Sequence, residues 1–286
     1  MKRKLLKRLL IGFLILITIW LVVAQFSMKY RISDNKAKEE FSKEGIDLDT
    51  GFFKTEDFNI HYASTGDDTL PTLFFIHGSP DGWINYRDLM KDKDLLTMFR
   101  MIAIDRPGFG YSEFGDAKNL EEQSKLITPF VRSIKNNKPI YAIGHSYGGP
   151  VVVRLQVDNT DLFDGLVLLA ASVDPEKEKP ERWRYIMKIP PLNYLLPGAF
   201  RPSNEELVYL KEDLKKLDKE WEKITCPVWI FHGDKDTYVP IANADYAKKK
   251  LTKARSVETI ILKGADHFIT KERYEDIKKA LMKLPV

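Results

Sequence analysis

Apolar and polar positions follow three different rhythms along the 286-residue chain. From Leu9 to Ala24 no residue is charged and only Gly12 and Thr18 interrupt the apolar character; counted on to Phe26, the run is 18 residues long. From about Ser27 to Asp49 polar and charged residues dominate without an apolar period, which reads as a linker or a solvated helix. Beyond it, short apolar runs rich in β-formers alternate with longer amphipathic stretches, the pattern of a parallel sheet covered by helices.

The runs predict an opening strand pair, Gly51 to Lys54 and Phe58 to Ala63. Six short buried strands follow: Thr72 to Ile76, Met101 to Ile104, Ile140 to Ile143, Gly165 to Leu169, Val228 to Phe231 and Thr259 to Leu262. Helices are expected over Leu120 to Ile134, where Leu126, Ile127, Phe130, Val131 and Ile134 recur at helical spacing, and over Tyr274 to Met282. The rhythm breaks at 174–224, where Pro180, Pro190, Pro191, Pro197 and Pro202 precede a charged helix, Asn204 to Lys223. This segment reads as an inserted cap. The expected organisation is a basic terminus (1–8), an apolar membrane segment (9–26), a linker (27–49) and one α/β domain (50–286).

Five Lys or Arg and no acid occupy the first eight residues, so much of the net charge of +4 belongs to that terminus. The remaining domain is close to neutral and has no basic stripe, which argues against a nucleic-acid partner; Lys248, Lys249 and Lys250 read as a solvated helix face. Eighteen residues sit at the short edge of the roughly 17 to 25 needed to span a bilayer. The run exceeds the ~7 to 15 residues of a signal core, which favours an uncleaved anchor over a signal cut after Ala24. The basic residues before it point to a cytoplasmic N-terminus, with Trp20 at the far interface and the domain across the membrane. If the segment were cleaved, the domain would be secreted. Cys226, the single cysteine, excludes an internal disulfide and reads as core packing.

The candidate chemistry begins where the strand Ile140 to Ile143 meets Gly144-His145-Ser146-Tyr147-Gly148-Gly149-Pro150, with Val151, Val152 and Val153 in a following helix. A serine hydroxyl is a weak nucleophile, so it needs exposure at a strand end, a neighbouring base and donors for the oxyanion. Glycines 144 and 148 allow the bend, and the helix start offers the Tyr147 amide. The acid and base should follow in that order. Of the five histidines, only His267 lies after every plausible acid; His145 and His232 read as structural strand-end residues and His61 as a strand-surface residue.

Two carboxylates, Asp234 and Asp236, follow the strand Val228 to Phe231, and Asp174 follows Gly165 to Leu169. With these motifs in order the chain resembles the α/β-hydrolase fold family over about residues 51 to 286. That resemblance implies a mostly parallel eight-stranded sheet with helices on both faces and a small helical cap. It assigns the triad acid to Asp236 and makes Asp234 a turn residue; Asp174 occupies the position some family members use instead. Phe75-Ile76-His77-Gly78-Ser79-Pro80 resembles the family's His-Gly loop, which pairs the amide of Ser79 with that of Tyr147 as oxyanion donors. Asp105-Arg106-Pro107-Gly108-Phe109-Gly110-Tyr111-Ser112 matches another family loop, expected to shape the sheet end through turn chemistry and a buried salt link.

These residues predict a serine hydrolase in which Ser146 attacks an acyl carbon, His267 acts as base and Asp236 supports it. No metal or organic cofactor is expected. Serine at position 146 argues against the haloalkane dehalogenase and epoxide hydrolase chemistry of the same fold, which needs a carboxylate nucleophile. A small carboxylic ester is the leading substrate class, with amide and carbon–carbon cleavage open. The rival readings are a ligand-binding or sensor protein without useful turnover and a membrane-tethered scaffold. In the cap, Trp183, Tyr185, Ile186, Met187, Ile189, Leu192, Tyr194 and Leu195 either line an apolar acyl pocket or pack onto the sheet.

Overall fold

A computed structural model describes residues 2–55, 58–179 and 181–286. Met1 of the basic terminus and Pro180 of the inserted segment lie outside the described residues. Helices α1 (Lys2–Phe26) and α2 (Asp34–Ser42) precede a hairpin of β1 (Asp49–Lys54) and β2 (Asn59–Thr65). Then come β3 (Thr72–Ile76), the short helices α3 (Arg87–Met90) and α4 (Lys93–Leu96), β4 (Arg100–Ile104), α5 (Leu120–Ser133), β5 (Ile140–His145), α6 (Gly148–Asp158) and β6 (Gly165–Leu169). The inserted segment holds α7 (Arg182–Met187), a 3-10 turn at Leu192–Leu195 and α8 (Phe200–Leu217). The chain closes with β7 (Val228–Gly233), α9 (Ala242–Lys250), β8 (Val257–Leu262), α10 (Ile269–Glu272) and α11 (Tyr274–Leu281).

The eight strands form one sheet in the order β1-β2-β4-β3-β5-β6-β7-β8. β2 runs antiparallel to both neighbours, and every pairing from β4 through β3 to β8 is parallel. Period-two geometry explains the two cores: Phe74 and Ile76 of β3 and Ile140 and Ala142 of β5 face α5, α6, α8 and α9. Their neighbours Leu73, Phe75, Tyr141 and Ile143 face α2, α3, α4 and α11. Both faces are covered, so the central strands are apolar without alternation. Helix α5 starts where Asn119 accepts a hydrogen bond from the Glu122 amide and the Glu122 carboxylate accepts one from the Asn119 amide, a reciprocal cap.

The stretch expected to be a linker or a solvated helix does hold a helix, α2, and that helix is packed against the domain. Ala37 and Phe41 of α2, with Ile46 and Leu48, are buried in the second core, because they recur on one helix face and its exit. His61, expected on a strand surface, is fully buried. Its Nδ1 lies 2.9 Å from Asp105 and its Nε2 3.0 Å from Asp34 at the start of α2. Burial opposes its charge, but the hydrogen bonds and charges of the two carboxylates outweigh that and raise its pKa. Cys226 is buried and free, and burial pushes its thiol up to about 11.

The cap is fastened to the sheet through α8. Ser203, Glu206, Leu210, Asp213, Leu214 and Leu217 share its inward stripe and are all buried. Arg106, fully buried, pairs with Glu206 through bonds of 2.7 and 2.9 Å and also donates to the backbone carbonyls of His77 and Gly78. Asp213 accepts from the Leu120 amide at 3.0 Å, which ties α8 to the start of α5. This is the buried salt link expected near Asp105 and Arg106, with its partner now identified. Removing one member of such a pair strands the other charge, so Glu206→Ala should cost about 3 to 5 kcal/mol in urea unfolding of the detergent-solubilised chain. A loss below about 1 kcal/mol would show that Arg106 finds water or another partner.

Candidate active site

Parallel register brings the ends of β3, β5 and β6 to one level: Ile76 pairs with Gly144, and His145 with Leu169. The residues just beyond them therefore meet at the carboxyl edge of the sheet, where open parallel sheets carry their sites. Ser146 leaves β5 at φ 54°, in the left-handed region that a serine adopts at a cost. Its amide donates to the Leu169 carbonyl at 2.9 Å and its carbonyl accepts from Gly149 at 3.0 Å, so the turn is held from both sides. A Cβ at Gly148 would stand 2.1 Å from the Ile76 carbonyl oxygen, so only glycine lets α6 begin this close to β3. One at Gly78 would stand 3.1 Å from the Ser146 Cβ, which puts the His77–Ser79 loop directly beside the serine.

The Ser146 hydroxyl lies 3.0 Å from His267 Nε2, and His267 Nδ1 lies 2.7 Å from Asp236 Oδ2. Asp236 Oδ1 accepts from the amides of Tyr238 and Val239 at 2.9 and 2.7 Å, and its side chain is fully buried. Burial acts to raise the Asp236 pKa, but the bonds from His267 and Val239 prevail and hold it below the ordinary aspartate value. An ionised Asp236 takes the Nδ1 proton as a hydrogen bond, which leaves Nε2 free to accept from the serine.

The other candidates have different partners. Asp234 accepts from the Gly264 amide at 2.7 Å and so joins the loop after β7 to the loop after β8 that carries His267. Asp174 accepts from the Glu176 amide and closes its own turn. His145 Nε2 donates to the His267 carbonyl at 3.0 Å, and His232 Nε2 to the Val239 carbonyl at 2.8 Å. Each braces a loop that bears a member of the Ser146, His267 and Asp236 group. Burial is the main cause lowering both imidazoles, His145 to about 4, so they stay neutral in this role. His77 donates from Nδ1 to the Gly78 carbonyl and accepts from the Arg106 amide at Nε2, and its pKa is driven well down by burial.

Among the described residues, no protein acceptor engages the amides of Tyr147, next to Ser146 in sequence, and of Ser79, next to Gly78, which approaches Ser146 in space. Most of the cap residues named for an acyl pocket are exposed at the surface. No residue of α7 is buried, and Trp183, Tyr185 and Tyr194 are each at least 44% exposed. Sequence reasoning missed Glu206. Its signal was a carboxylate on the apolar stripe of a helix, one turn before Leu210.

A family model described as alpha/beta hydrolase fold matches residues 71–194. The chain is 26% identical over 145 residues to an epoxide hydrolase 1 of Caenorhabditis elegans, covering 50% of this chain and 35% of that protein. It is 28% identical over 152 residues to a haloalkane dehalogenase 2 of Mycobacterium tuberculosis, covering 52% and 51%. The chain thus spans about a third to a half of the length of these curated relatives. The crystal structure of a membrane phospholipase A, a bacterial virulence factor, superposes with a TM-score of 0.60 at 18% identity, over 99% of this chain and 100% of that one. The chain has the α/β-hydrolase fold, and the family model for that fold matches its residues 71–194.

The positive φ at Ser146 has a measurable consequence. Ser146→Gly relieves the left-handed strain and Ser146→Ala does not, so the glycine variant should be the more stable by about 1 kcal/mol in paired urea titrations. Equal stability of the two would mean that the turn is not strained.

Proposed function

We propose that the chain is a membrane-anchored serine hydrolase that cleaves a carboxylic ester through an acyl-enzyme on Ser146. One observation carries this reading: the hydrogen-bonded series from Ser146 to His267 to Asp236, in which the serine meets a base and the base meets a buried carboxylate. Catalysis of this kind needs the nucleophile, its base and the base's orienting group within hydrogen-bond reach of one another.

In the proposed reaction, His267 Nε2 takes the proton of Ser146 as Oγ attacks the acyl carbon. Asp236 holds the imidazole in the required tautomer and stabilises its charged form. The amides of Ser79 and Tyr147 receive the oxyanion, each donor contributing on the order of 3 kcal/mol to the transition state. The imidazolium then protonates the leaving alcohol, and water repeats the sequence on the acyl-enzyme. The named curated relatives hydrolyse epoxides or remove halide, reactions that the family resemblance associates with a carboxylate nucleophile. A serine at the same turn favours acyl transfer.

The anchor part of the proposal rests on α1, whose composition and length suit a membrane span. Ala24 is fully buried, and its carbonyl accepts from the Gly198 amide in the cap at 2.7 Å. Trp20 donates to the Leu195 carbonyl at 3.0 Å. Cleavage after Ala24 would remove both contacts, which supports a retained helix.

Turnover of p-nitrophenyl butyrate tests the triad. Ser146→Ala and His267→Ala should each lower kcat by about 10⁶-fold, and together by no more than either alone. Asp236→Asn should lower it by about 10⁴-fold through the wrong tautomer, whereas Asp234→Asn should stay within about tenfold of wild type. Wild-type activity in the Asp236 variant would remove it from the site.

A further inference from the structure

The cap carries a surface that the proposed reaction does not use. Between Trp183 and Tyr194, the side chains of Trp183, Tyr185, Ile186, Ile189, Leu192 and Tyr194 are all exposed, from 37 to 58%. Six apolar or aromatic side chains crowded into twelve residues form a patch of the kind that marks an interaction site. Arg184 and Lys188 are interleaved with them and Arg182 adjoins them, the mixture found on segments that lie in a lipid headgroup layer.

The position of this surface relative to α1 identifies what covers it. Three hydrogen bonds join the cap to the last two turns of α1: Trp20 to the Leu195 carbonyl, Gln25 to the Tyr194 carbonyl, and Gly198 to the Ala24 carbonyl. The uncharged run from Leu9 to Phe26 is only about 27 Å long as a helix, against about 30 Å of hydrocarbon to cross. None of it can be spared for water. A cap bonded to Trp20, about 9 Å before the end of that run, is therefore held at the headgroup–acyl boundary, within the roughly 5 to 10 Å to which interfacial segments bury their apolar faces. The exposed side chains on either side of that contact then meet lipid.

The same stretch of cap reaches the site. Gly198 bonds to α1, and five residues later Ser203 accepts a hydrogen bond from the Ser79 hydroxyl at 2.8 Å, beside Ser146. The chain leaving α1 also crosses the far end of the loop after β3, where a Cβ at Gly82 would stand 2.4 Å from the Tyr30 carbonyl oxygen. Around His267 the rings of Tyr238 and Phe268 are 70 and 49% exposed, an apolar rim at the same carboxyl edge of the sheet.

We infer that the cap face from Trp183 to Tyr194 docks on the leaflet from which α1 emerges, and that Ser146 draws its acyl ester from that leaflet rather than from water. The docking rests on the reading of α1 as a membrane span; the clause on substrate rests on the serine hydrolase reading. The occupant is the bilayer, and a second copy of the chain is the alternative that the test separates from it.

The test uses the full chain in nanodiscs of phosphatidylcholine and phosphatidylglycerol, with Cys226 retained because it is buried. A bimane label at Ile186→Cys or Ile189→Cys should be quenched by spin-labelled lipid at least about threefold more than one at Lys248→Cys on α9. Equal quenching at all three positions overturns the docking, as does disulfide cross-linking between copies through position 186 or 189 without quenching. In the second arm, Ile186→Glu combined with Ile189→Glu should slow hydrolysis of a long-chain monoacylglycerol embedded in vesicles about tenfold and leave p-nitrophenyl acetate turnover within about twofold. Equal loss on both esters, or loss on neither, overturns entry from the leaflet. Quenching needs no turnover, so a chain that docks and hydrolyses nothing refutes the reaction while leaving the docking in place.

Discussion

The closeness of α6 to β3 at Gly148 is the constraint on which the site depends. Because no side chain intervenes there, the helix starts directly behind the end of the sheet, and Ser146 is forced into a left-handed turn that lifts its hydroxyl out of the strand line. The strain, of order 1 to 3 kcal/mol for such a residue, is offset by fully buried neighbours: Val151, Val152 and Val153 on one side and the β5 backbone on the other. A turn embedded this deeply has no slack with which to relax, so the serine remains poised beside the His77–Ser79 loop.

The second constraint is electrostatic. Arg106 spends its donors on the loop next to Ser146 and on Glu206 of the cap, and its guanidinium lies 4.6 Å from the ring centroids of both Phe109 and Tyr147. A buried ion pair adds little net stability compared with apolar packing, yet losing half of it is costly. It therefore acts as a register pin: α8 docks where Glu206 meets Arg106 and nowhere else. Through Ser203 and Ser79, and through Gly198 and Ala24, that register extends from the site to α1. Loops braced by His145, His232 and Asp234 complete the frame from the other side. Neutral imidazoles suit this, since each needs only one proton to donate.

Much of this was legible in the residues. The eight strands, the parallel sheet and the strand-end turns bearing Ser146 and His267 follow from apolar runs punctuated by glycine turns, because buried parallel strands and strand-end loops have few sequence solutions; the choice of Asp236 over Asp234 came from the family resemblance. What the pattern concealed was tertiary. His61 sits at an inward position of a strand that looks half polar, and only its meeting with Asp105 and Asp34, 44 and 27 residues away, makes its burial tolerable. The segment after α1 lacks a strong period because two side chains of α2, Ala37 and Phe41, suffice to seat it. The apolar residues of the cap invite an inward reading, since period and composition do not distinguish a side chain facing a core from one exposed at the surface. The exposure of Trp183, Tyr185 and Tyr194 became apparent only in the folded chain.

The central claim is that Ser146 is an activated nucleophile. Treating the full chain in detergent with a fluorophosphonate and mapping the adduct by mass spectrometry of its peptides tests it most directly. The account predicts one phosphonyl group on Ser146, abolished in Ser146→Ala and slowed by about 10³-fold or more in His267→Ala. An unmodified Ser146, or an adduct that forms equally fast without His267, would contradict it.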